Sequence, residues 1–259
     1  GNAKASVRYI YQMAMTLKNA GYNSVILHEK PDYFGVQDWL GSEYMEKLEH
    51  VSVEGQNLQI SPEDTIVIPE IFGYVMPQVA NLPCAKIVLC QSYSFMFETL
   101  QPAQTWSQFG FTKCITTSEK QKEYISSIMR GSSVDIIEPV ISESFSESKF
   151  PSKPIIAVHT REQRDTMNLI KEFYAKFPQY RWISFRDMRG LSESEFANVL
   201  KDCMLSVWID DDSAFGTFPL ESMKCGVPVM GKIPKMVSEW MTEENGIWVQ
   251  EELRMVDFI

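Results

Sequence analysis

Residues 210–249 have the pattern of an anion-binding site. An apolar strand pattern is followed by a loop that carries Gly216, and Thr217-Phe218-Pro219 then opens a predicted helix. Threonine is a good N-terminal cap, and proline is tolerated in the first helical turn because its missing N–H has no intrahelical partner there. The free backbone N–H groups of such a helix start, together with the helix dipole, favour an anion beside the carboxyl end of the strand.

Glu221 lies, on this prediction, in the first turn of the same helix. Two interpretations of this carboxylate stay open. It either complements the helix dipole, which is worth a few tenths of a kcal/mol, or its two oxygens accept both hydroxyl groups of a ribose.

Arg161 and Arg164 follow a predicted strand, Ile155–Val158, at a spacing of three residues. Glu162 and Asp165 beside them are typical of an ordinary solvated charge cluster. Ligands nevertheless bind at the carboxyl ends of strands in open α/β sheets, and arginine suits bidentate contact with phosphate. Both interpretations stay open.

Two further clusters follow predicted strands. Asp210-Asp211-Asp212 offers the oxygen ligands that Mg²⁺ prefers, but consecutive side chains point in different directions, so we interpret the run as a solvated acidic turn and predict no metal site. Gln91 and Tyr93 either satisfy backbone groups at a strand end or line a cleft opposite the anion site.

The elements that position these residues alternate between strand and helix, which indicates parallel sheets covered on both faces. A helix begins at Ala5, and Gly21 ends it. The predicted strands of the first half are Ser24–Leu27, Thr65–Ile68, Ala85–Cys90, Lys113–Thr116 and Val134–Ile137, with a helix over Glu119–Met129. Because Gly1-Asn2 leads directly into a helix, we expect the first domain to lack its opening strand, since a glycine turn normally follows that strand in a doubly wound sheet.

A Ser-rich, charged stretch at Ser142–Lys153 predicts the boundary between two domains, residues 1–145 (the first half) and 146–259 (the second half). The pattern then restarts. Strands are predicted at Ile155–Val158, Trp182–Phe185, Leu205–Ile209, Val227–Met230 and Ile247–Val249, and helices around Met167–Phe177, Ser194–Lys201 and Leu220–Cys225.

Composition excludes several classes of protein. The 259 residues are 44% hydrophobic, so the chain is not disordered, and no apolar stretch reaches the length of a membrane span. The net charge of −10 disfavours binding of nucleic acid. The five cysteines are scattered and odd in number, which predicts reduced, buried thiols and a cytoplasmic location.

The run A-F-G-T-F-P-L-E-S-M-K-C-G-V-P-V, followed by N-G-I-W-V, resembles the donor-site signature of GT-B glycosyltransferases, and most closely that of retaining family 4. That family's pattern is E-G-F-G-L-P-x-x-E-A-M-A-x-G-x-P-V with a later N-G. Ile115-Thr116-Thr117-Ser118-Glu119 resembles its strand–Ser–helix step, and Gly1 to Gly21 resembles its glycine loop and first helix. The resemblance implies an α/β fold of two Rossmann-like domains facing across a cleft.

The departures from that pattern are specific. The family's Glu-x7-Glu pair falls on positions 213 and 221, where this chain has Ser213 and Glu221. Gln91 stands where many members carry histidine. A rhamnosyltransferase-like branch shares both features, and Phe109-Gly110-Phe111 resembles it as well. Arg161 and Arg164 occupy, at shorter spacing, the places of the arginine and lysine with which the family binds the diphosphate.

The resemblance implies a metal-independent, retaining hexosyl- or deoxyhexosyltransferase that needs no cofactor. Its donor would be a nucleotide-diphospho-sugar, and its acceptor a glycan or a lipid-linked acceptor in polysaccharide biosynthesis, with no more than peripheral contact with the inner face of the membrane. Catalytic roles fall on Arg161, Arg164 and Ser213, donor binding on Phe215, Gly216, Thr217, Phe218 and Glu221, and the facing side of the cleft on Gly1, Asn2, Gln91 and Tyr93.

Two alternatives stay open at this point. One is a non-catalytic relative that binds a sugar nucleotide or a partner enzyme, which the absence of Glu at position 213 and of His at position 91 favours. The other is a nucleotide-sugar 2-epimerase, for which only His159, at a strand end before Arg161, is placed to serve as an acid–base group.

Overall fold

The structure is a computed structural model that describes residues 5–30, 40–54, 59–147, 153–213 and 215–259. Gly1 and Asn2, predicted to approach the donor sugar, lie outside the described residues.

The first half contains two parallel sheets. One consists of β1 and β2, and the other has the order β3-β4-β5-β6. Among the described residues, no strand pairing joins these two sheets. The elements are α1 (Ala5–Asn19), β1 (Val25–His28), α2 (Glu43–Lys47), β2 (Glu49–Ser52), β3 (Thr65–Pro69), α3 (Met76–Val79), β4 (Ala85–Leu89), β5 (Lys113–Thr116), α4 (Glu119–Ile128) and β6 (Ser133–Ile136).

The second half is one parallel five-stranded sheet with the order β11-β10-β9-β7-β8. The chain runs from β7 to β8 on one side and returns to β9 on the other, so the strand order reverses between β7 and β9. Its elements are β7 (Lys153–Thr160), α5 (Gln163–Lys176), β8 (Ser184–Asp187), α6 (Glu193–Asp202), β9 (Cys203–Ile209), α7 (Thr217–Lys224), β10 (Val229–Lys232) and β11 (Ile247–Val249).

Both faces of this second sheet are buried, as the apolar runs predicted. Successive residues of a strand point to opposite faces, so Ile156 and Val158 of β7 pack with α5 on one side, whereas Ala157 packs with Phe196 of α6 and Phe218 of α7 on the other. Side chains from the segment before β7 join the second of these clusters, and the largest of them is the fully buried Phe145.

Most predicted strands are confirmed, and β5 and β11 have the predicted bounds. The strand predicted at Trp182–Phe185 is shifted to Ser184–Asp187, and Trp182 lies before it, largely exposed. The short elements α2 and β2 were not predicted. The five cysteines are free and buried, as expected.

The start of α7 corrects the prediction for Thr217 and Glu221. Gly216 is the N-terminal cap and adopts φ of 77°, with no side-chain capping hydrogen bond. Thr217 is the first helical residue, and Glu221 lies in the second turn. The cap is therefore one residue earlier than the predicted Thr217, because the left-handed backbone at Gly216 turns the chain directly into the helix.

Candidate functional site

The candidate site lies where β7 and β9 end, at the point where the strand order reverses. Ligands of open α/β sheets bind in the crevice outside the carboxyl ends of the strands at such a point. Arg161 follows β7 directly, and Asp210 follows β9 directly. The Nε atom of Arg161 forms an ion pair with Asp210, so the two strand ends are joined by a charged contact.

The acidic run after β9, predicted as a solvated acidic turn, is partly exposed and paired with cations, with the Asp211 and Asp212 side chains 41% and 36% exposed. Each of its carboxylates faces a different cation, with Arg161 on Asp210, Lys232 on Asp211 at 2.8 Å and Lys235 on Asp212 at 2.9 Å. Lys232 belongs to β10, which lies beside β9 in the sheet. Lys235 belongs to the segment after β10. Among the described residues, no group of three His, Cys, Asp or Glu side chains is arranged to hold a metal ion.

Contacts with Trp240 and Ser238 fix the loop before α7. The Trp240 Nε1–H group donates to the Phe215 carbonyl at 2.7 Å, and the Ser238 hydroxyl donates to the same oxygen at 3.0 Å. A side chain at Gly216 would come within 3.1 Å of ring atoms of Trp208 and Trp240, in addition to its unfavourable φ. The position therefore requires glycine.

The fixed loop before α7 places the start of this helix at the carboxyl end of β9. The first backbone N–H groups of a helix have no intrahelical partner, and Gly216 supplies no capping side chain. The N–H groups of Gly216, Thr217 and Phe218 are therefore suited to an anion.

The two predicted arginines are placed differently. Arg161 stays at the strand end, paired with Asp210 and 42% exposed. Arg164 lies in the first turn of α5 with its side chain 82% exposed, and its ion-pair partner, 3.7 Å away, is Asp165 of the same helix. The structure thus brings Arg161 to the site and leaves Arg164 in solvent. Ser213, half-buried, lies in the loop between Asp212 and Phe215.

Glu221 is buried, and a residue that was not predicted covers it. Arg8 of α1 donates from Nη1 to Glu221 Oε1, and the Arg8 Nε atom lies 3.1 Å from Glu193 Oε2 at the start of α6. Burial raises the pKa of Glu221, and the Arg8 guanidinium opposes that shift. Nothing in the sequence pattern around Arg8 points to this contact.

On the facing side, the residues after β4 contact both α1 and the second half. The Gln91 side-chain amide donates to the Ser6 carbonyl at 3.0 Å, and the Ser92 hydroxyl donates to the Asp212 carbonyl at 3.4 Å. Burial raises the pKa of Tyr93, and the charge of Lys235 opposes that shift. Ser92 and Tyr93 therefore lie beside the acidic run of the second half, and Gln91 contacts α1.

Glu70 is a second residue that was not predicted, and it holds this segment in place. Its Oε1 atom accepts the backbone N–H of Ser92 at 2.8 Å, and the side chain is buried. Burial raises the pKa of Glu70 to about 7. A glutamate directly after the apolar strand T-I-V-I-P is the sequence signal that could have identified it.

His159, the one acid–base candidate for an epimerase, is packed among aromatic rings. Its ring stacks on Phe218 with centroids 4.9 Å apart. Burial lowers the pKa of His159 to about 4, so the imidazole is neutral at neutral pH. Among the described residues, its Nδ1 atom has no hydrogen-bond partner. A neutral, half-buried imidazole is a poor general acid.

Comparison with known proteins relates this architecture to sugar-transferring enzymes. No family model matches the chain. An α-1,6-glucosyltransferase of Actinobacillus pleuropneumoniae serotype 7 (strain AP76) is 20% identical over 228 residues, which cover 80% of this chain and 68% of that protein. The solved structure of sucrose-phosphate synthase from Thermosynechococcus elongatus superposes with a TM-score of 0.66 at 12% identity, over 98% of this chain and 83% of that one.

The fold is GT-B-like. The superposition spans both halves of the chain, so it confirms the expected α/β class with parallel sheets. In the described part of the chain, every helix is too short or too polar to serve as a membrane span.

Proposed function

We propose that the protein is a glycosyltransferase that moves a hexosyl or deoxyhexosyl group from a nucleotide-diphospho-sugar to a glycan or lipid-linked acceptor, with retention and without a metal ion. One observation carries the proposal: in a GT-B-like fold, Gly216 starts α7 without a capping side chain in the loop after β9, and Arg161 follows β7, the two strands between which the strand order reverses. The name of the glucosyltransferase relative supports the same reaction class.

The diphosphate is the group that this arrangement suits. As the bond between the anomeric carbon and the diphosphate oxygen breaks, its electron pair leaves with the diphosphate, and negative charge grows there. The N–H groups of Gly216, Thr217 and Phe218 and the Arg161 guanidinium stabilise that charge, which is the effect expected to dominate such a step. Because the carboxylates of the acidic run are paired with Arg161, Lys232 and Lys235, the proposal needs no metal ion there.

The remaining donor roles fall on Glu221 and Ser213. Glu221 accepts the ribose hydroxyls from the second turn of α7, and Ser213 binds a hydroxyl of the sugar. The acceptor approaches from Gln91 and Tyr93, and its hydroxyl oxygen forms the new bond to the anomeric carbon while its proton passes to the departing diphosphate. Five free thiols suit a reducing compartment, so we place the reaction in the cytoplasm.

A second candidate is a relative that binds a nucleotide sugar without turning it over. Ser213 stands where the resembled family has a carboxylate, and Arg8 covers the Glu221 carboxylate. The serine is compatible with binding and unfavourable for turnover, whereas Arg8 must leave Glu221 before a ribose can reach it.

A thermal-shift panel of uridine, guanosine and thymidine diphospho-sugars, followed by an assay for release of the nucleoside diphosphate, tests the proposal. We expect at least one nucleotide sugar to raise the melting temperature and to release its diphosphate when an acceptor glycan is present. Stabilisation without release in the presence of acceptors favours the non-catalytic candidate. A panel with no shift would refute both.

A further inference from the structure

Arg8 is a half-buried cation of the first half that lies between two carboxylates of the second half. The helix that carries Arg8 is attached to the first half, because the hydroxyl of the neighbouring Tyr9 donates to the Ile137 carbonyl at 2.7 Å. Its guanidinium contacts Glu193 and Glu221, with side chains 14%, 12% and 4% exposed, respectively. The guanidinium carbon lies 5.7 Å from the ring centroid of Phe145, which forms one wall of this cluster.

The Glu221 carboxylate is inaccessible while Arg8 is in place. Only 4% of the Glu221 side chain is exposed, and the oxygen Oε1 accepts from Arg8. A ribose can donate its hydroxyl protons only to oxygens that it can reach. Arg8 and the two ribose hydroxyls therefore compete for one carboxylate.

We propose that Arg8 is a displaceable plug of the ribose site. When the donor nucleotide binds, it replaces Arg8 on Glu221. The proposal rests on the proposed function, because it assigns Glu221 to the ribose. The nucleotide hydroxyls take the Glu221 oxygens, and Arg8 remains paired with Glu193. Arg8 thereby weakens nucleotide binding and makes it depend on the contact between the two halves.

Glu193 is placed to keep Arg8 after the exchange. Its Oε1 atom accepts the hydroxyls of Ser142 at 2.6 Å and Ser144 at 2.9 Å, which fix the carboxylate, and its Oε2 atom faces Arg8. The Arg8 guanidinium is shared between two carboxylates. When the charge of Glu193 is removed, Arg8 therefore pairs with Glu221 only. Removing the charge of Arg8 instead leaves Glu221 open to the ribose.

The two substitutions therefore have opposite effects on nucleotide affinity. Calorimetric titration of the full chain with UDP and GDP at pH 8 compares wild type, Arg8→Gln and Glu193→Gln, with Lys18→Gln as a matched control. Lys18 is an exposed cation of the same helix. For the nucleotide that wild type binds, we expect Arg8→Gln to bind about 10-fold tighter, Glu193→Gln about 3-fold weaker or more, and the control to be unchanged.

Each other outcome is decisive. Weaker binding by Arg8→Gln would mean that Arg8 contacts the nucleotide directly, and unchanged binding would mean that it does not cover the site; both overturn the proposal. If Arg8→Gln does not fold, Glu193→Gln decides alone, because unchanged or tighter binding there contradicts a shared cation. Absence of UDP and GDP binding in wild type and variants alike would overturn the plug and leave the proposed function to the thermal-shift panel, which also contains the thymidine donors, whereas binding with unchanged variants overturns the plug alone.

Discussion

Glu70 makes the stability of the protein depend on pH near neutrality. The side chain is only 4% exposed, and burial raises its pKa from the ordinary value of 4.5 to about 7, although backbone N–H groups of Gln91, Ser92 and Glu70 oppose the shift. A folded-state pKa above the unfolded value means that the stabilisation is complete below about pH 4.5 and is lost as the pH rises to about 7. At about 1.4 kcal/mol per pKa unit, ionisation costs the folded state about 3 kcal/mol.

Glu70→Gln removes this cost while keeping the shape of the side chain. Urea unfolding at pH 5, 6, 7 and 8 measures the free energy of unfolding of the variant and of wild type. The loss of one hydrogen bond lowers the stability of the variant by about 1 kcal/mol at every pH. In addition to that offset, we expect the free energy of unfolding of the variant to rise relative to that of wild type by about 2–3 kcal/mol from pH 5 to pH 8.

The comparison of the two proteins separates Glu70 from the other titrating groups. His159, with its pKa lowered to about 4, has the opposite effect, because its neutral folded form gains stability as the pH rises from about 4 to 6.5. This contribution cancels in the difference, since both proteins contain His159. Glu98→Gln, which removes an exposed carboxylate of the neighbouring segment, provides the baseline. Parallel curves for Glu70→Gln and wild type over pH 5–8 would refute the assignment.

Three predictions concern the donor site. Glu221→Gln should weaken binding of ribonucleotides by about 10–100-fold and of 2′-deoxyribonucleotides by less, as measured by calorimetry; equal losses for both would remove the ribose from Glu221. Ser213→Ala should leave the affinity for the nucleoside diphosphate unchanged and weaken only the intact nucleotide sugar, and a loss of diphosphate affinity would contradict that role. Nucleotide-sugar binding and turnover should survive EDTA, and a loss that Mg²⁺ or Mn²⁺ restores would show that the carboxylates Asp210, Asp211 and Asp212 hold a metal ion.

The fold was predictable because its signals are local. A parallel strand that is buried on both faces is a continuous apolar run, as in Ile155–Val158, which was predicted as a strand and lies within the observed Lys153–Thr160. The short strand Glu49–Ser52 lacks such a run, because its side chains are half-buried or exposed, and it was missed.

The site was predictable only where its residues follow strands directly. Gly216 and Arg161 were identified because the loops after β9 and β7 are where ligands bind in this kind of sheet. The contact between Arg8 and Glu221 joins positions 213 residues apart, and no periodicity encodes it. The pairing of the acidic run likewise depends on Lys232 and Lys235, which only the adjacency of β9 and β10 brings close.

The central claim is that the start of α7 and Arg161 hold a diphosphate. Calorimetric titration of wild type and Arg161→Gln with UDP, GDP and dTDP, and with the matching nucleosides, tests it directly. We expect wild type to bind at least one diphosphate with a Kd of about 1 mM or tighter, its nucleoside at least about 10-fold more weakly, and Arg161→Gln to lose most of that preference. Equal affinity for the nucleoside and its diphosphate, or a preference that survives Arg161→Gln undiminished, would contradict the account.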